Sequence, residues 1–330
     1  MSTDRATRPT GPGAGEPAAP PEEVPGGRRR IEGRSPWALA WQRLRRDRVA
    51  MVSLAVIVLV VLLAVFAPVV AALTGHGPDQ QFRQDGLSPD GLPVGPNGTF
   101  WFGTDDLGRD ILVRIAYGAR ISLLVGVVAT ALTVVIGVVV GLVAGFVGGF
   151  VDTLLARLVD IVLSMPFLLV AIALVSITGA GLGVTIVVIG SFSWASVARI
   201  VRGQVISLRE REFVEAARSL GAGDVRIMFV DVLPNVLAPV IVYTSLLIPI
   251  VILTEASLSF LGLGLPPPTP DWGGMIDEAT TYYTTSWWFV FFPGLALLVT
   301  TLAFNLFGDG VRDAFDPRGD RGATVVGGAS

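Results

Sequence analysis

Residues 209–235 read REREFVEAARSLGAGDVRIMFVDVLPN, the longest charged interval between two apolar spans of this chain. Its first half carries Phe213, Ala216, Ala217 and Leu220 at helical spacing, with Glu212, Glu215 and Arg218 at other positions. Gly221 and Gly223 break the pattern. Asp224 then offers an N-cap for a second helix with the stripe Val225, Met228, Phe229 and Val232, and Pro234 is expected to end it. The stretch therefore predicts two short helices at a glycine elbow. On a membrane protein such an elbow either lies in the headgroup layer or docks a soluble partner.

The surrounding chain is a membrane chain by composition. Of its 330 residues 52% are hydrophobic and 15% charged, with a mean hydropathy of +0.67, which points to several spans. Cysteine is absent, which excludes disulfides and thiolate metal sites. A single histidine, His76, excludes a histidine-based metal cluster or triad within this chain. All the basic residues are arginine.

Outward from the elbow, apolar runs predict a fourth span over 184–201 and a fifth over 236–263. The others are expected at 49–73, 121–147, 158–177 and 288–306, six in all. Residues 1–34 are rich in Pro, Gly, Glu and Arg and read as a disordered tail. Residues 35–73 combine an interfacial helix, with Trp37, Trp41 and Leu44 on one face, and the first span. Residues 74–120 form a polar loop rich in turns, with a short helix at 111–117. The spans of 121–308 form the core, with the elbow region at 203–235, and 309–330 is a polar tail.

Arginine placement sets the sidedness. Alternation puts the N-terminus, the elbow and the tail on one side, which carries the arginine run before the first span, six arginines between Arg199 and Arg226, and three in the tail. The turn at 179–183 and the connector at 264–287 carry none. Both termini and the elbow are thus expected in the cytoplasm.

Within the spans, Thr133, Gly137, Gly141 and Gly145 stand four apart, a small-residue ridge on which another helix can pack closely. Pro166 is expected to kink the third span and Pro249 to bend the fifth. Glu255 sits late in the fifth span, as a cavity or gate residue or as a satisfied structural carboxylate. The acidic loop Asp105-Asp106…Asp110 reads as a capped turn rather than a metal site. No Walker loop, nucleophile elbow, zinc signature or dinucleotide fingerprint occurs, so no catalytic residues are assigned. The arginine runs flank spans, which argues against nucleic-acid binding.

Glu215-Ala216-Ala217, then Gly221, then Leu233-Pro234 resembles the EAA loop of ABC importer permeases. EGRS at 32–35, FGTDDLGRD at 102–110, ARISLLVG at 119–126 and ARIVRGQ at 198–204 extend the likeness. So do LSFLGLG at 258–264 with Trp272-Gly273, and FNLFGDGVRDAFDPR at 304–318. Across most of residues 30–320 the chain resembles the C-type permease subunit of dipeptide/oligopeptide ABC importers, a family that includes nickel and glutathione systems. The resemblance implies an all-α integral membrane protein of six transmembrane helices in the type I ABC importer permease fold, in a bacterial cell membrane. It implies a homologous B-type permease, two ABC ATPase subunits and an extracytoplasmic binding protein or lipoprotein as partners. ATP and Mg would be bound by the ATPases and no cofactor by this chain. Coupling to the ATPases would fall to Glu215, Ala216, Ala217, Arg218, Gly221, Asp224 and Pro234. A stand-alone channel or a membrane scaffold, with the elbow lying on lipid, is the alternative of another class.

Overall fold

A computed structural model describes residues 36–316, and the expected tail at 1–34 and the residues beyond 316 lie outside it. The described chain is helical, with two isolated β-bridges in a loop. Helix α1 (Pro36–Leu44) leads into α2 (Arg48–Val65), which begins where Asp47 Oδ1 accepts the amides of Val49 and Ala50 at 2.8 and 3.2 Å. After Phe66, α3 (Ala67–Thr74) carries the first span on to Gly75, whose φ of 75° stops it.

Helix α4 (Ile111–Val147) starts on a second aspartate cap, Asp110, which accepts from Leu112 and Val113 at 2.9 and 3.4 Å. The sequence predicts a short helix at 111–117 and a separate span from 121; the two are one helix of 37 residues, so the polar loop ends at 110. Gly118 and Arg120 look like a break but are packing residues. A Cβ on Gly118 would stand 3.2 Å from the Trp272 ring. The Arg120 guanidinium donates to the carbonyls of Ala64 and Val65 at the end of α2, at 2.5 and 2.9 Å. At about 1.5 Å per residue α4 is ~55 Å long, well beyond a hydrocarbon layer of ~30 Å.

Helix α5 (Gly149–Ser164) and α6 (Phe167–Thr178) replace the predicted third span. The sequence anticipates a kink at Pro166; the chain instead breaks, and the two helices meet at 85°. Pro166 has no N–H to give and forces Met165 out of the helical region, to φ −79° and ψ 132°. Neither piece alone spans a bilayer, so length leaves five spans, or six if the pair is one crossing.

The packing of α4 on α7 (Leu182–Arg209) decides between them. A Cβ on Gly137 would lie 2.5 Å from Val197 Cβ, one on Gly141 2.6 Å from the Ala198 carbonyl, and one on Gly145 2.8 Å from Val205 Cβ. Both sets of numbers rise together, so α4 and α7 run in the same direction. The chain must return across the membrane between them, and α5 with α6 is the only segment available. The bent pair is one crossing, and the crossings among the described residues number six.

Helix α8 (Glu212–Ser219) forms the elbow, and α9 (Asp224–Phe260) follows without interruption for 37 residues. Helix α10 (Trp272–Ala279) is a short cap helix, and α11 (Trp287–Phe315) is the last crossing. The predicted polar tail from 309 is still helix up to Phe315. Gly308 and Gly310 do not break α11: side chains there would strike Leu246 of α9 and Ala50 of α2. The main core lies between α4, α7 and α9 and includes Leu142, Val201, Val205, Val236 and Val251. In a bilayer such contacts stabilise by close dispersion packing, since lipid tails are as apolar as the side chains.

At the opposite end from the elbow, residues 75–110 fold into a cap over α4, α10 and α11. Trp288 Nε1 donates to the Thr104 carbonyl at 3.3 Å and Trp272 Nε1 to that of Ile115 at 3.1 Å. His76 Nδ1 lies 2.6 Å from Asp110 Oδ2. Arg109 joins Asp105 (2.5 Å) to Glu278 of α10 (3.0 Å), and Arg114 Nε stands 3.3 Å from Asp105. Asp105, Arg109 and Arg114 are buried, so each charge depends on its neighbours.

Two substitutions test this packing. Gly141→Val should lower stability by roughly 3 kcal/mol through overpacking, read as thermal unfolding in detergent, while Gly203→Ala, in open space on α7, should leave it unchanged or raised. Arg109→Ala leaves Asp105 with Arg114 alone and cuts its tie to Glu278, and should cost about 3 kcal/mol, seen as faster proteolysis within residues 79–109 in oriented vesicles.

Candidate functional site

The elbow is built by a helix stop and an unusual helix start. Helix α8 ends in a Schellman arrangement: Ala222 N–H donates to the Ala217 carbonyl at 3.0 Å and Gly221 N–H to that of Arg218 at 2.9 Å. Gly221 holds φ +83°, a left-handed conformation that other residues adopt at a cost. Asp224 is not the predicted cap. Gly223 occupies that position, and Asp224 is the first helical residue, with Oδ1 3.8 Å from Arg218 Nε. Its charge still favours the helix N-terminus through the dipole.

Pro234 does not end the second helix either. Residues Ile227–Val232 widen into a π-type stretch, with the Leu233 N–H bonded back to the Met228 carbonyl. That register shift lets the helix pass Pro234, which has no N–H to place, and continue as the fifth crossing. The second elbow helix and the crossing are therefore one continuous helix.

The buried face of the elbow keeps Met228 and Val232 of the predicted stripes and adds Val214 and Ile227. Val214, Ile227 and Val232 are fully buried against the core, and Ala217 packs beside them. Leu220 is 88% exposed and Val225 69%, and Phe213 and Phe229 are exposed as well. Glu215, Ala216 and Arg218 share this outer surface. An apolar edge ringed by charge thus faces away from the molecule. The predicted stripes contain Leu220 and Val225 but not Val214 or Ile227, which share the buried face with Val232.

Four contacts tie the elbow end to the core crossings. The Arg218 guanidinium lies 5.7 Å from the Phe146 ring at the end of α4. Arg209 donates to the Gly145 carbonyl at 3.1 Å. Arg202 forks onto Asp152 of α5 at 2.5 and 2.7 Å, and Arg199 reaches Asp160 at 2.8 Å. Arg218 thus joins α8 to the end of α4, while Arg209, Arg202 and Arg199 join the end of α7 to α4 and α5.

The remaining candidates do not gather in one place. Gly137, Gly141 and Gly145 line the α4–α7 contact. Pro166 is exposed in the α5–α6 break. Pro249 is buried within α9, and the Ser245 carbonyl it leaves unbonded faces Gly308 of α11. Glu255 is sealed, with 0% exposure; Oε1 accepts from Ser259 Oγ at 3.1 Å and Oε2 has no hydrogen-bond partner.

In the cap, ligand oxygens of Asp105, Asp106 and Glu278 lie within 4.8 Å of one another. Two guanidinium groups already stand among them, with Arg109 Nη2 3.6 Å from Asp106, so the arrangement is an ion-pair cluster. Burial, then the neighbouring Asp105, raises the Asp106 carboxyl above its usual range, against the pull of Arg109. Burial likewise raises Glu278 in spite of Arg114 and Arg109, and raises Asp271 in spite of its bond from Gly274.

Comparison with known proteins bears on these features. Residues 137–321 match the family model described as binding-protein-dependent transport system inner membrane component. Residues 35–89 match the N-terminal TM domain of oligopeptide transport permease C. The chain is 43% identical over 284 residues to the di/tripeptide transport system permease protein DppC of Pseudomonas aeruginosa, covering 86% of this chain and 93% of that one. It is 43% identical over 285 residues to the glutathione transport system permease protein GsiD of Salmonella typhimurium, covering 86% and 91%. The GsiD protein of Escherichia coli O6:K15:H31 is 41% identical over the same length and shares. On these matches the chain belongs to the binding-protein-dependent transport system inner membrane components, as a multi-pass permease subunit of an ABC importer.

Proposed function

We propose that this permease translocates peptides, oligopeptides ahead of dipeptides, handed to it by an extracytoplasmic binding protein or lipoprotein. In this reading it pairs with a homologous B-type permease, and the path lies between the two. Two ABC ATPase subunits dock on the cytoplasmic elbows and bind the ATP and Mg. The observation that carries the docking assignment is the outward apolar edge of Leu220 and Val225 on a segment that arginine placement assigns to the cytoplasm.

Coupling then follows from the covalent and packed continuity of the elbow. ATP-driven closure of the ATPases moves α8, and α9 moves with it because only the tight turn at 220–223 lies between them and α9 runs on into the crossing without a break. The contacts of Arg218 with Phe146 and Arg209 with Gly145 carry the same displacement to α4. ATP thus favours one of two packings of the crossings over the other. Glu215 supplies a polar contact, Ala216 and Ala217 allow close approach, and Gly221 and Asp224 hold the bend. Pro234 marks the passage into the crossing. The break at Pro166 and the bend at Pro249 are where the crossings yield, with Glu255 sealed above them as the gate residue.

The match of residues 35–89 supports the oligopeptide preference, and the di/tripeptide relative supports peptides in general. Glutathione is the second reading, favoured by an equal identity to a glutathione permease. Uptake of labelled pentapeptide, dipeptide and glutathione by the reconstituted complex separates them: the proposal expects the pentapeptide to win, and glutathione uptake alone would reverse it.

Leu220→Asp should cut co-purification of the ATPase subunits at least tenfold while the chain still inserts, since buried apolar anchors contribute about 2 kcal/mol or more. Glu215→Lys and Gly221→Pro should each abolish transport with insertion intact. Normal uptake in all three variants would remove the elbow from the mechanism.

A further inference from the structure

The corner between α1 and α2 holds three arginines that the fold does not neutralise. Arg45 and Arg46 form the turn, Arg48 opens α2, and all three are exposed. The one carboxylate among them, Asp47, is committed to capping α2 through Val49 and Ala50. The neighbouring Arg43 donates to the backbone carbonyl of Asp316 at 2.9 Å. Among the described residues no carboxylate pairs with Arg45, Arg46 or Arg48. The Arg45 guanidinium lies 4.9 Å over the Trp41 ring.

Exposed apolar surface begins at the same corner. Trp37 and Trp41 are half-exposed on α1. On α2, Val49 and Val52 are 55% and 65% exposed directly past the arginines, and the bare strip continues through Val58 and Leu59 into the crossing. The arginines therefore stand where a span enters hydrocarbon. A soluble protein could cover the charges but not the strip below them. A phospholipid has chemistry for both: a phosphate at the charges, an acyl chain along the valines, and an interface suited to tryptophan.

We propose that this corner is a binding site for an anionic phospholipid, with its phosphate among Arg45, Arg46 and Arg48 and an acyl chain on Val49 and Val52. Occupation fastens α1 to the membrane. Because Ala40 and Leu44 of α1 pack on Val311 and Ala314, and Trp37 meets Phe315 edge-on at 5.3 Å, it also steadies the far end of α11.

The test uses the importer complex with its partner subunits, purified in neutral detergent and titrated with phosphatidylglycerol or phosphatidylcholine. Retained lipid is read by native mass spectrometry and the thermal midpoint is followed in parallel. Each arginine at an anionic surface contributes about fivefold in affinity, so Arg45→Gln/Arg46→Gln/Arg48→Gln should weaken phosphatidylglycerol retention about a hundredfold and erase its advantage over phosphatidylcholine. The single variant Arg46→Gln should show about a fivefold loss, and the triple lysine variant should keep the preference. Equal phosphatidylglycerol retention by the glutamine variants overturns the proposal. So does loss of a partner subunit from them with lipid retention unchanged, which would make the corner a protein contact.

Discussion

Three glycines set the architecture by letting two long helices touch backbone to side chain while running the same way. Close approach at Gly137, Gly141 and Gly145 has no hydrophobic driving force in lipid and stabilises only because the surfaces match to within an atom. Once α4 and α7 are parallel neighbours, the segment between them must recross the bilayer. That requirement fixes the number of crossings and puts the elbow at the same end as the close of α4. The core of α4, α7 and α9 then forms around the seam, and the elbow inherits its orientation from it.

Charge in so apolar a chain is handled by explicit partnership. Arg120 is received by two carbonyls at a helix end, Arg202 by a forked carboxylate, and Arg109 with Arg114 by acids of the cap. These pairs sit at the two ends of the bundle, where their desolvation is least costly and where they join different helices. They act as ties at the rims while the seam works in between. Arg45, Arg46 and Arg48 stand together at one corner with no carboxylate partner among the described residues, and that crowding gives the corner a chemical meaning.

The sequence made the crossings legible because 18 or more apolar residues have few other uses. It made Gly221 legible as a stop, since an apolar stripe that ends at glycine beside a charged run has a standard geometry. Pro234 was misread because a proline rule assumes an α-register, and the π-type widening before it removes the conflict locally. The continuation of helix through Gly118 and Gly310 is not legible in the sequence because its reason is a neighbour distant in sequence, Trp272 in one case and Ala50 in the other. The outward placement of Leu220 and Val225 was hidden for a related cause. Two apolar stripes compete on each elbow helix, and only the position of α4 and α7 selects the inner one.

The break at Met165 and Pro166 has a consequence for how the protein is made. A translocation channel releases a nascent segment sideways into lipid when it presents one continuous greasy cylinder, and neither half of this crossing is long enough to do so. The neighbour that completes its surroundings, α7, lies later in the chain and leaves the ribosome after it. Residues 149–178 thus find the wall they settle against only in a helix made after them.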